Sequence, residues 1–453
     1  MCIDRTEGDV NLTDARAGWQ TAALDRSSRD LLERDSRAFL HQALSTPCLA
    51  PIRRAQGPHI EDSTGRRYLD FHGNSVHHIG HGHPRVLQAI REQLDALPFC
   101  PRRFTCEPAI RLAERLGSLS PRGTLTKVLF APGGAEAMSM ALKLARAATG
   151  RHKTIAFHGS FHGATLDMIA IGDEPIFRHR AGPLMPGCLH VHPPAPSRCD
   201  HGCAGSCTNR CAESIESLLA REPDIAAVVA EPIRCTTVDL PQANYWARVR
   251  AACDRAGALL IFDEIPIWAG RTGRMFAAQH DGVTPDIAVI GKSLGGGIFP
   301  LAAMLARPDL DCIPEGALGH FTHEKSPVGA AAALAFLDVI DDERLCERSA
   351  IEGERLAARL RGLADQHPII REVRGRGLLV GVELATTAEQ PPATRIAERV
   401  LYASLARGLS FKVSGGTVLT LTPPLNTPRD LLDQAVSILD EALAEACADE
   451  DRP

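Results

Sequence analysis

Two short apolar runs, each followed at once by chemically active side chains, constrain the fold of this chain most strongly. Residues 259–262 lead into Asp263, and residues 287–290 lead to Lys292. Strands that are buried on both faces read as unbroken apolar runs, and sheets of parallel strands bind ligands beyond the carboxyl ends of those strands. The sequence therefore predicts an acid and a lysine that converge on one ligand.

Pyridoxal phosphate is a cofactor that uses such a pair of side chains. A lysine holds it covalently, and a carboxylate keeps its pyridine nitrogen protonated so that the ring accepts electrons. A strand-end aspartate and a loop lysine are also common in proteins that bind no cofactor. The sequence around the pair therefore has to be considered to distinguish these two interpretations.

Those residues resemble the signature of the class III aminotransferases. The matching strings are Asp263-Glu264-Ile265, Gly270-Arg271-Thr272-Gly273, Pro285-Asp286 and Gly291-Lys292-Ser293-Leu294-Gly295-Gly296-Gly297. The resemblance covers residues 35 to 445 and implies the α/β architecture of fold-type I pyridoxal-phosphate enzymes. We expect a mostly parallel seven-stranded sheet with helices on both faces in the large domain, and a smaller α+β domain built from both chain ends.

Length and resemblance together predict how the 453 residues are divided. A chain this long is expected to exceed a single core. We expect an N-terminal arm at residues 1–30, the first part of the small domain at 31–75, the large cofactor-binding domain at 76–318 and the C-terminal small domain at 319–453.

Composition argues against several kinds of partner. The net charge of −5, from 50 basic and 55 acidic residues, gives no electrostatic case for nucleic acid or a membrane surface. The polar N-terminus has no apolar signal core, and no apolar stretch reaches transmembrane length. We therefore expect a cytoplasmic protein in which the fourteen cysteines are reduced thiols.

The resemblance implies cofactor contacts at the ends of the predicted strands. A glycine turn that opens a helix offers free backbone N–H groups to a phosphate, and Gly134 and Ala135 occupy this turn. The family usually has a serine where Ala135 stands, so a backbone contact remains while a hydroxyl contact is lost. Phe161 and Ile265 are expected on the two faces of the pyridine ring.

Five further residues receive roles from the same resemblance. Asp263 would hold the ring nitrogen, and Lys292 would anchor the cofactor and move the substrate proton. His162 either lies near the ring or caps a turn. Glu231 is either a polar group of the active site or a packed structural acid, and its family position favours the first. Thr322 would reach the phosphate bound by a neighbouring subunit, which implies a homodimer with composite active sites.

Three departures from the family pattern bear on the substrate. Thr420 stands where most class III transaminases have an arginine that clamps a substrate carboxylate. Pro266 replaces a glutamine that touches the cofactor hydroxyl, and the loop from Thr322 to Pro327 reads Thr-His-Glu-Lys-Ser-Pro in place of Thr-Phe-Gly-Gly-Asn-Pro. The small-molecule amine that this chain uses is therefore expected to lack a carboxylate.

These departures, with residues 8–12, 71–77 and 99–104, resemble a narrower group of class III relatives. They are ammonia-lyases that act on (R)-1-hydroxy-2-aminoethylphosphonate during the breakdown of 2-aminoethylphosphonate. The implied reaction removes a proton beside the amine, expels the adjacent hydroxyl, and yields phosphonoacetaldehyde and ammonia with no keto-acid partner. An ω-aminotransferase stays open as the alternative, and so does a cofactor-binding regulatory or structural protein without turnover.

A phosphonate needs cationic partners. The candidates are Arg102, Arg103, Lys325, His77 and His323, with Arg102 and Arg103 preferred. Each one alone is a weak candidate, because exposed arginines and lysines usually belong to a solvated surface.

A cysteine-rich loop raises the question of a metal. Cys199, Cys203, Cys207 and Cys211 are spaced four residues apart, with His201 among them. Four thiols so close together could hold zinc or an iron–sulfur cluster. The spacing is not the usual pair of cysteines two residues apart, and a repeat of four also places thiols along one face of a helix. We therefore predict no metal.

Overall fold

The computed structural model describes residues 13–196, 199, 201–202, 207–386 and 393–448. They form two compact units. The first unit contains the described residues up to His83, the segment Thr236–Val238 and the residues from Glu347 onward. The second unit consists of Pro84–Cys235 and Asp239–Cys346. The domain bounds given above stay a prediction.

In the described ranges, the helices that carry the architecture follow the polar and apolar spacing of the sequence. They are α1 (Asp14–Ala23), α2 (Arg26–Ala38), α3 (Pro84–Ala96), α4 (Glu107–Leu119), α5 (Gly134–Thr149), α6 (Met168–Ile171), α7 (Pro175–Arg178), α8 (Arg210–Arg221), α9 (Tyr245–Ala256), α10 (Pro327–Asp342), α11 (Leu345–Ala364), α12 (Ala393–Ala406) and α13 (Arg429–Ala448). None of these helices combines the length and the apolar character needed to cross a membrane.

The strands of the described ranges form three sheets. They are β1 (Ile52–Gln56), β2 (His59–Asp62), β3 (Arg67–Asp70), β4 (Lys127–Ala131), β5 (Lys153–Phe157), β6 (Cys188–Val191), β7 (Ile225–Ala230), β8 (Leu259–Asp263), β9 (Ile287–Ile290), β10 (Ala302–Ala306), β11 (Ile370–Arg376), β12 (Leu379–Leu384), β13 (Leu409–Ser410), β14 (Lys412–Ser414) and β15 (Val418–Leu421).

The second unit is built on a seven-stranded sheet in the order β4-β10-β9-β8-β7-β5-β6. Strand β10 runs antiparallel to both of its neighbours, and the strands from β9 to β6 are parallel. Every residue of β7, β8 and β9 is buried, as their apolar sequences predict. The predicted mostly parallel seven-stranded sheet is confirmed.

Alternate residues of the central strands pack against helices on opposite faces of this sheet. Ile261 belongs to the core that α5 covers, whereas Leu260 and Phe262 belong to the core that contains residues of α8 and α9. Successive side chains of a strand point to opposite faces, so an unbroken apolar strand needs a cover on each side. The helices on both faces supply this cover.

The first unit contains two four-stranded sheets, with the orders β1-β2-β3-β13 and β11-β12-β15-β14. A turn that contains residues 63–65 joins β2 to β3 in an antiparallel hairpin. Strand β13 comes from the C-terminal part of the chain and pairs in parallel with β3. Both chain ends therefore contribute to this unit, as predicted.

Residues 14–23 of the predicted N-terminal arm form helix α1. The helix begins after Thr13, whose side chain accepts a hydrogen bond from the N–H of Arg16 and so caps the first turn. Trp19 is buried, and its ring centroid lies 6.2 Å from that of Tyr402. Trp19 is the only large apolar residue of α1, so the helix has a weak periodic pattern.

A buried carboxylate organises the turn that follows β3. Oδ1 of Asp70 accepts the N–H groups of His72 and Gly73, and Oδ2 lies 2.9 Å from His81 Nε2. His77 Nε2 lies 2.9 Å from the backbone carbonyl of Asp70. Burial tends to raise the pKa of Asp70, but the hydrogen bond with His81, nearby His77 and the N–H of Gly73 outweigh it and hold this pKa well below its usual range.

We predict that Asp70→Asn lowers the free energy of unfolding by about 1.5–3 kcal/mol at neutral pH, as expected for a hydrogen bond to a charged group. A carboxyl whose pKa is depressed in the folded state stabilises the fold above its unfolded-state pKa of 3.8, and that contribution is lost as the pH falls through the lower folded-state pKa. The difference between variant and wild type should therefore shrink below about pH 4. Denaturant titrations at several pH values measure it.

Asp342→Asn is the control for this prediction, because Asp342 is an exposed carboxylate that pairs with Arg85 at 2.7 Å. We expect it to change the free energy of unfolding by less than about 0.5 kcal/mol. Equal effects of the two substitutions would contradict the role assigned to Asp70.

Candidate active site

Three predicted site residues lie at the carboxyl ends of neighbouring parallel strands. Glu231 follows the last residue of β7, Asp263 is the last residue of β8, and Lys292 comes two residues after β9. Ala230 is paired with Phe262, and Asp263 is paired with Val289. The register thus brings the two acids and the lysine segment to the same edge of the sheet.

The Asp263 carboxylate is buried and bonded at both oxygens. Oδ2 lies 2.9 Å from His162 Nδ1, and Oδ1 accepts the N–H of Ile265 at 3.1 Å. His162 is 2% exposed, and its Nε2 has no hydrogen-bond partner among the described residues. The sequence left two roles open for His162, and the structure places it against the acid that is expected to hold the ring nitrogen.

The start of α5 suits an anion. Its N-cap residue, Gly133, has no side chain to compete for the first N–H groups of the helix, which have no partner within the helix itself. A Cβ atom added to Gly134 would lie 2.7 Å from Ile265 Cδ1, and one added to Gly163 would lie 2.6 Å from Ala135 Cβ. The turn therefore packs too closely for larger side chains at either glycine.

Ile265 connects this turn to the lysine segment. It is buried, and its Cγ2 would lie 3.4 Å from a Cβ atom added to Gly291, the residue before Lys292. Phe161, the other residue predicted to face the ring, is half-buried, and its ring centroid lies 4.6 Å from that of Phe177.

Lys292 begins a single turn of 3₁₀-helix and adopts a φ of 47°. This left-handed conformation is rare for a residue with a side chain, and such strain is concentrated at functional sites. The side chain is exposed, so its amine is accessible. Behind it, a Cβ atom on Gly296 would lie 2.8 Å from Val86 Cγ1, which explains why the glycine run tolerates no bulk there.

Glu231 is paired with an arginine that the sequence analysis missed. Arg234 Nη1 lies 3.1 Å from Glu231 Oε1, and Arg234 Nη2 lies 2.7 Å from Glu174 Oε1. The other oxygen of Glu231 accepts the N–H of Cys235. Burial raises the pKa of Glu231 although Arg234 opposes this, and the nearby Asp263 carboxylate raises it further. A cation four residues beyond a buried strand was the signal that could have identified Arg234.

Glu264 has a structural role despite its place next to Asp263. Its two oxygens each accept a backbone N–H at 2.8 Å, from Ala277 and Ala278. Burial raises the pKa of Glu264 to about 7 against the effect of these two bonds. The carboxylate fixes the loop that follows β8.

Four of the cations predicted for the substrate belong to the second unit, and one belongs to the first. Arg102, Arg103 and Lys325 are exposed residues of the second unit, and Arg102 Nη1 lies 2.7 Å from His320 Nδ1. His77 belongs to the first unit, in the Asp70 cluster. A fifth candidate, His323, has its ring 5.0 Å from that of Phe99.

Thr322 and Thr420 occupy contrasting environments. Thr322 is exposed in the loop between β10 and α10 of the second unit. Thr420 is buried in β15 of the first unit, where its hydroxyl donates to the carbonyl of Thr236 at 2.5 Å and lies 2.9 Å from Ser414 Oγ. A hydroxyl therefore occupies the position at which the family usually carries an arginine.

In the cysteine-rich loop, Cys203 lies outside the described residues. Cys199, Cys207 and Cys211 are free thiols. Burial, with Cys207 and Cys199 nearby, raises the pKa of the Cys211 thiol to about 11.

The arrangement in the second unit suits a phosphorylated pyridine aldehyde. Free N–H groups at the start of α5 fit a phosphate, and the Asp263 carboxylate fits a protonated ring nitrogen. The unpartnered Nε2 of His162 provides a further polar contact, and Lys292 offers an accessible amine. These residues fit pyridoxal phosphate.

Comparison with known proteins agrees with this geometry. The model of the class-III aminotransferase family matches residues 41–443. The chain is 43% identical to (R)-1-hydroxy-2-aminoethylphosphonate ammonia-lyase from Vibrio splendidus, over 98% of this chain and 96% of that protein. It is 36% identical to 5-aminovalerate aminotransferase from Pseudomonas putida, over 87% of this chain and 93% of that protein.

Solved structures show the same fold. An amine transaminase from an uncultivated Pseudomonas species, in a form with bound pyridoxal phosphate, matches with a TM-score of 0.84. It is 29% identical, and the match covers 90% of this chain and 99% of that one.

We predict that His162→Leu weakens pyridoxal-phosphate binding, because Asp263 loses the partner of one carboxylate oxygen. A hydrogen bond to a charged group is worth about 1.5–3 kcal/mol, which corresponds to a roughly 10- to 100-fold loss of affinity. His162→Asn retains a donor near the position of Nδ1 and should recover most of the affinity. Titration of the cofactor absorbance measures both variants.

His158→Leu is the control, since His158 is an exposed histidine whose Nδ1 lies 2.8 Å from Asp173. Cofactor affinity in this variant should match the wild type. Unchanged affinity in His162→Leu would show that the contact with Asp263 does not support the cofactor.

Proposed function

This chain belongs to the class III aminotransferase family, and from that premise we propose that it is a pyridoxal-phosphate-dependent ammonia-lyase acting on (R)-1-hydroxy-2-aminoethylphosphonate. The observation that carries the proposal is 43% identity, over 98% of the chain, to a Vibrio protein that bears this name. The products would be phosphonoacetaldehyde and ammonia, so the enzyme would serve the degradation of 2-aminoethylphosphonate.

We propose that the second unit holds the cofactor through residues from five segments of the chain. Lys292 would be its covalent anchor, and Asp263, positioned by His162, would bind the ring nitrogen. The backbone at Gly134 and Ala135 would bind the phosphate. Phe161 and Ile265 would lie against the ring, with Glu231 among the polar groups at its edge.

The first step of the proposed reaction is a proton transfer to Lys292. Its amine would take the proton from the carbon that carries the substrate amine, which is general-base work at a defined atom. When bound, the cofactor supplies an electron sink for the pair that this proton leaves behind. The accessible position of Lys292 at the strand ends supports this role.

The second step distinguishes a lyase from a transaminase. In the lyase, the electron pair forms a carbon–carbon double bond while the neighbouring hydroxyl departs with a proton as water. The released enamine then takes up water and gives an aldehyde and ammonia. In a transaminase, Lys292 would instead deliver the proton with the substrate hydroxyl still in place, and a keto acid would be needed to complete the cycle.

The buried hydroxyl of Thr420 supports a substrate without a carboxylate. Class III enzymes that bind carboxylates usually have an arginine at this position, and an arginine binds a carboxylate through two parallel hydrogen bonds. We propose that a phosphonate is bound instead, with Arg102, Arg103, Lys325 and His77 as candidate contacts.

We also propose an oligomeric state, a cellular compartment and a division into domains. A homodimer with composite sites would bring Thr322, which is exposed in the single chain, to the phosphate of its partner. The free thiols among the described cysteines support a reducing compartment, hence the cytoplasm. The large domain would span residues 76–318, between an N-terminal part at 31–75 and a C-terminal part at 319–453.

The alternative is an ω-aminotransferase, and the 36% identity to 5-aminovalerate aminotransferase favours it. It would use the same lysine and aspartate. A keto-acid requirement separates the two activities.

We predict that the purified enzyme loaded with cofactor releases ammonia from 1-hydroxy-2-aminoethylphosphonate with no keto acid present. Elimination needs no amino acceptor, so ammonia and aldehyde should form in equal amounts. Release only after a keto acid is added would make the enzyme a transaminase. A strong rate with ω-amino carboxylates and 2-oxoglutarate would show that another residue clamps carboxylates in place of the missing arginine.

We also predict that Lys292→Ala removes the absorbance of the covalently held cofactor and lowers turnover by roughly 10³-fold or more, because anchor and base are lost together. Lys127→Ala is the control, since Lys127 is an exposed lysine paired with Asp311 at 2.7 Å. A wild-type protein that shows the absorbance but no turnover with any amine would point to the regulatory or structural alternative.

A further inference from the structure

Arg234 is a cation held close to the buried carboxylates of the second unit. It lies just beyond the carboxyl end of β7, and its side chain is 14% exposed. Arg234 Nη1 lies 3.1 Å from Oε1 of Glu231, which follows β7 at the edge of the sheet where β8 ends in Asp263. The guanidinium is therefore close to the groups proposed to bind the cofactor.

We infer that Arg234 binds the phosphonate group of the substrate and so sets the substrate class of this site. The inference rests on the proposed function. It adds a residue to the contacts predicted from the sequence, all of which came from other segments of the chain.

The backbone around Arg234 is fixed, so its side chain needs little ordering. Arg234 and Asp239 exchange two backbone hydrogen bonds at 3.3 Å, which closes the loop between them. Glu231 accepts the N–H of Cys235 within the same turn. Binding groups that are already held in place spend less free energy on ordering when a ligand arrives.

The hydrogen bonds of Arg234 leave donors for a ligand. A guanidinium carries five N–H donors, and the contacts to Glu231 and Glu174 go through its two terminal nitrogens. The planar guanidinium presents parallel N–H donors that match the oxygens of a phosphonate, which a lysine ammonium does not. The carboxylates of Glu231 and Glu174 hold the guanidinium in place.

The charge around Arg234 is consistent with an incoming anion. Burial raises the pKa of Glu231, Arg234 opposes this, and the nearby Asp263 adds to the effect of burial. Glu174 is more exposed than Glu231, so water screens its charge better.

The three exposed cations proposed above are expected to bind a phosphonate more weakly than Arg234 does. Arg102, Arg103 and Lys325 are exposed, and the charge of an exposed group is weakened by water and salt. A half-buried arginine acts in a medium of lower dielectric constant and gains more from the same contact.

The test compares 2-aminoethylphosphonate with propylamine, an amine of similar length that has no anionic group. Each is titrated into the holoenzyme, and the change in cofactor absorbance gives its apparent affinity. In Arg234→Met we expect a roughly 10- to 100-fold loss for 2-aminoethylphosphonate, the size expected for a hydrogen bond to a charged group. The affinity for propylamine should remain close to that of the wild type.

A second readout needs no reaction. Methylphosphonate titrated into the wild-type holoenzyme by calorimetry should bind, and binding should weaken by a similar factor in Arg234→Met. Arg248→Met is the matched control, because Arg248 is also a salt-bridged arginine of the second unit, paired with Glu216 at 2.9 Å. It should keep both affinities.

Arg234→Gln is the second variant if the methionine variant fails to fold, because an amide can still bond to Glu231 and Glu174. Equal affinities for 2-aminoethylphosphonate in the wild type and in either folded variant would overturn the inference. A wild type that prefers 2-aminoethylphosphonate through Arg234 but releases no ammonia from the hydroxylated substrate would sink the lyase proposal and leave the arginine assignment standing.

Discussion

A carboxylate at the end of a buried strand has to be stabilised where water cannot reach it, and the bonds that stabilise Asp263 link much of the candidate site. An unpaired acid in this position would be costly. His162 supplies one bond and the backbone of Ile265 supplies another. Ile265 in turn packs against Gly134 and against the glycine before Lys292. The positions proposed for the ring nitrogen, the phosphate and the anchoring lysine are thus joined through one side chain.

The sequence predicted this framework well because local rules govern it. Residues 259–262 and 287–290 form strands since burial on both faces demands unbroken apolar runs. The glycine turn before α5 could be predicted as a phosphate site because a helix that begins at glycines presents free N–H groups. Contacts between distant segments could not be predicted in this way, because periodicity carries no information on which segments meet. The bond between His162 and Asp263 and the pairing of Arg234 with Glu174 belong to this class.

Adjacent carboxylates can have different structural roles. Asp263 and Glu264 are neighbours in sequence, yet one faces the candidate site and the other binds two backbone N–H groups of the following loop. The Asp263-Glu264-Ile265 motif contains both acids but does not show which of them lies in the site. Thr420 shows the converse, since the loss of an arginine was visible in the sequence while the use of its hydroxyl required the structure. Substrate preference depends on both kinds of information.

The order of the strands also determines when each strand can pair with its neighbours during synthesis on the ribosome. Strand β4 lies at the end of its sheet beside β10, and Ala131 pairs with Ala302. In the first unit, Leu69 pairs with Leu409. The nascent chain therefore holds β4 without this partner until β10 has been made, and β3 without its parallel partner until β13 has been made. Long-range pairing of this kind is slow and exposed to aggregation. Early packing of helices against these strands would shorten that exposure.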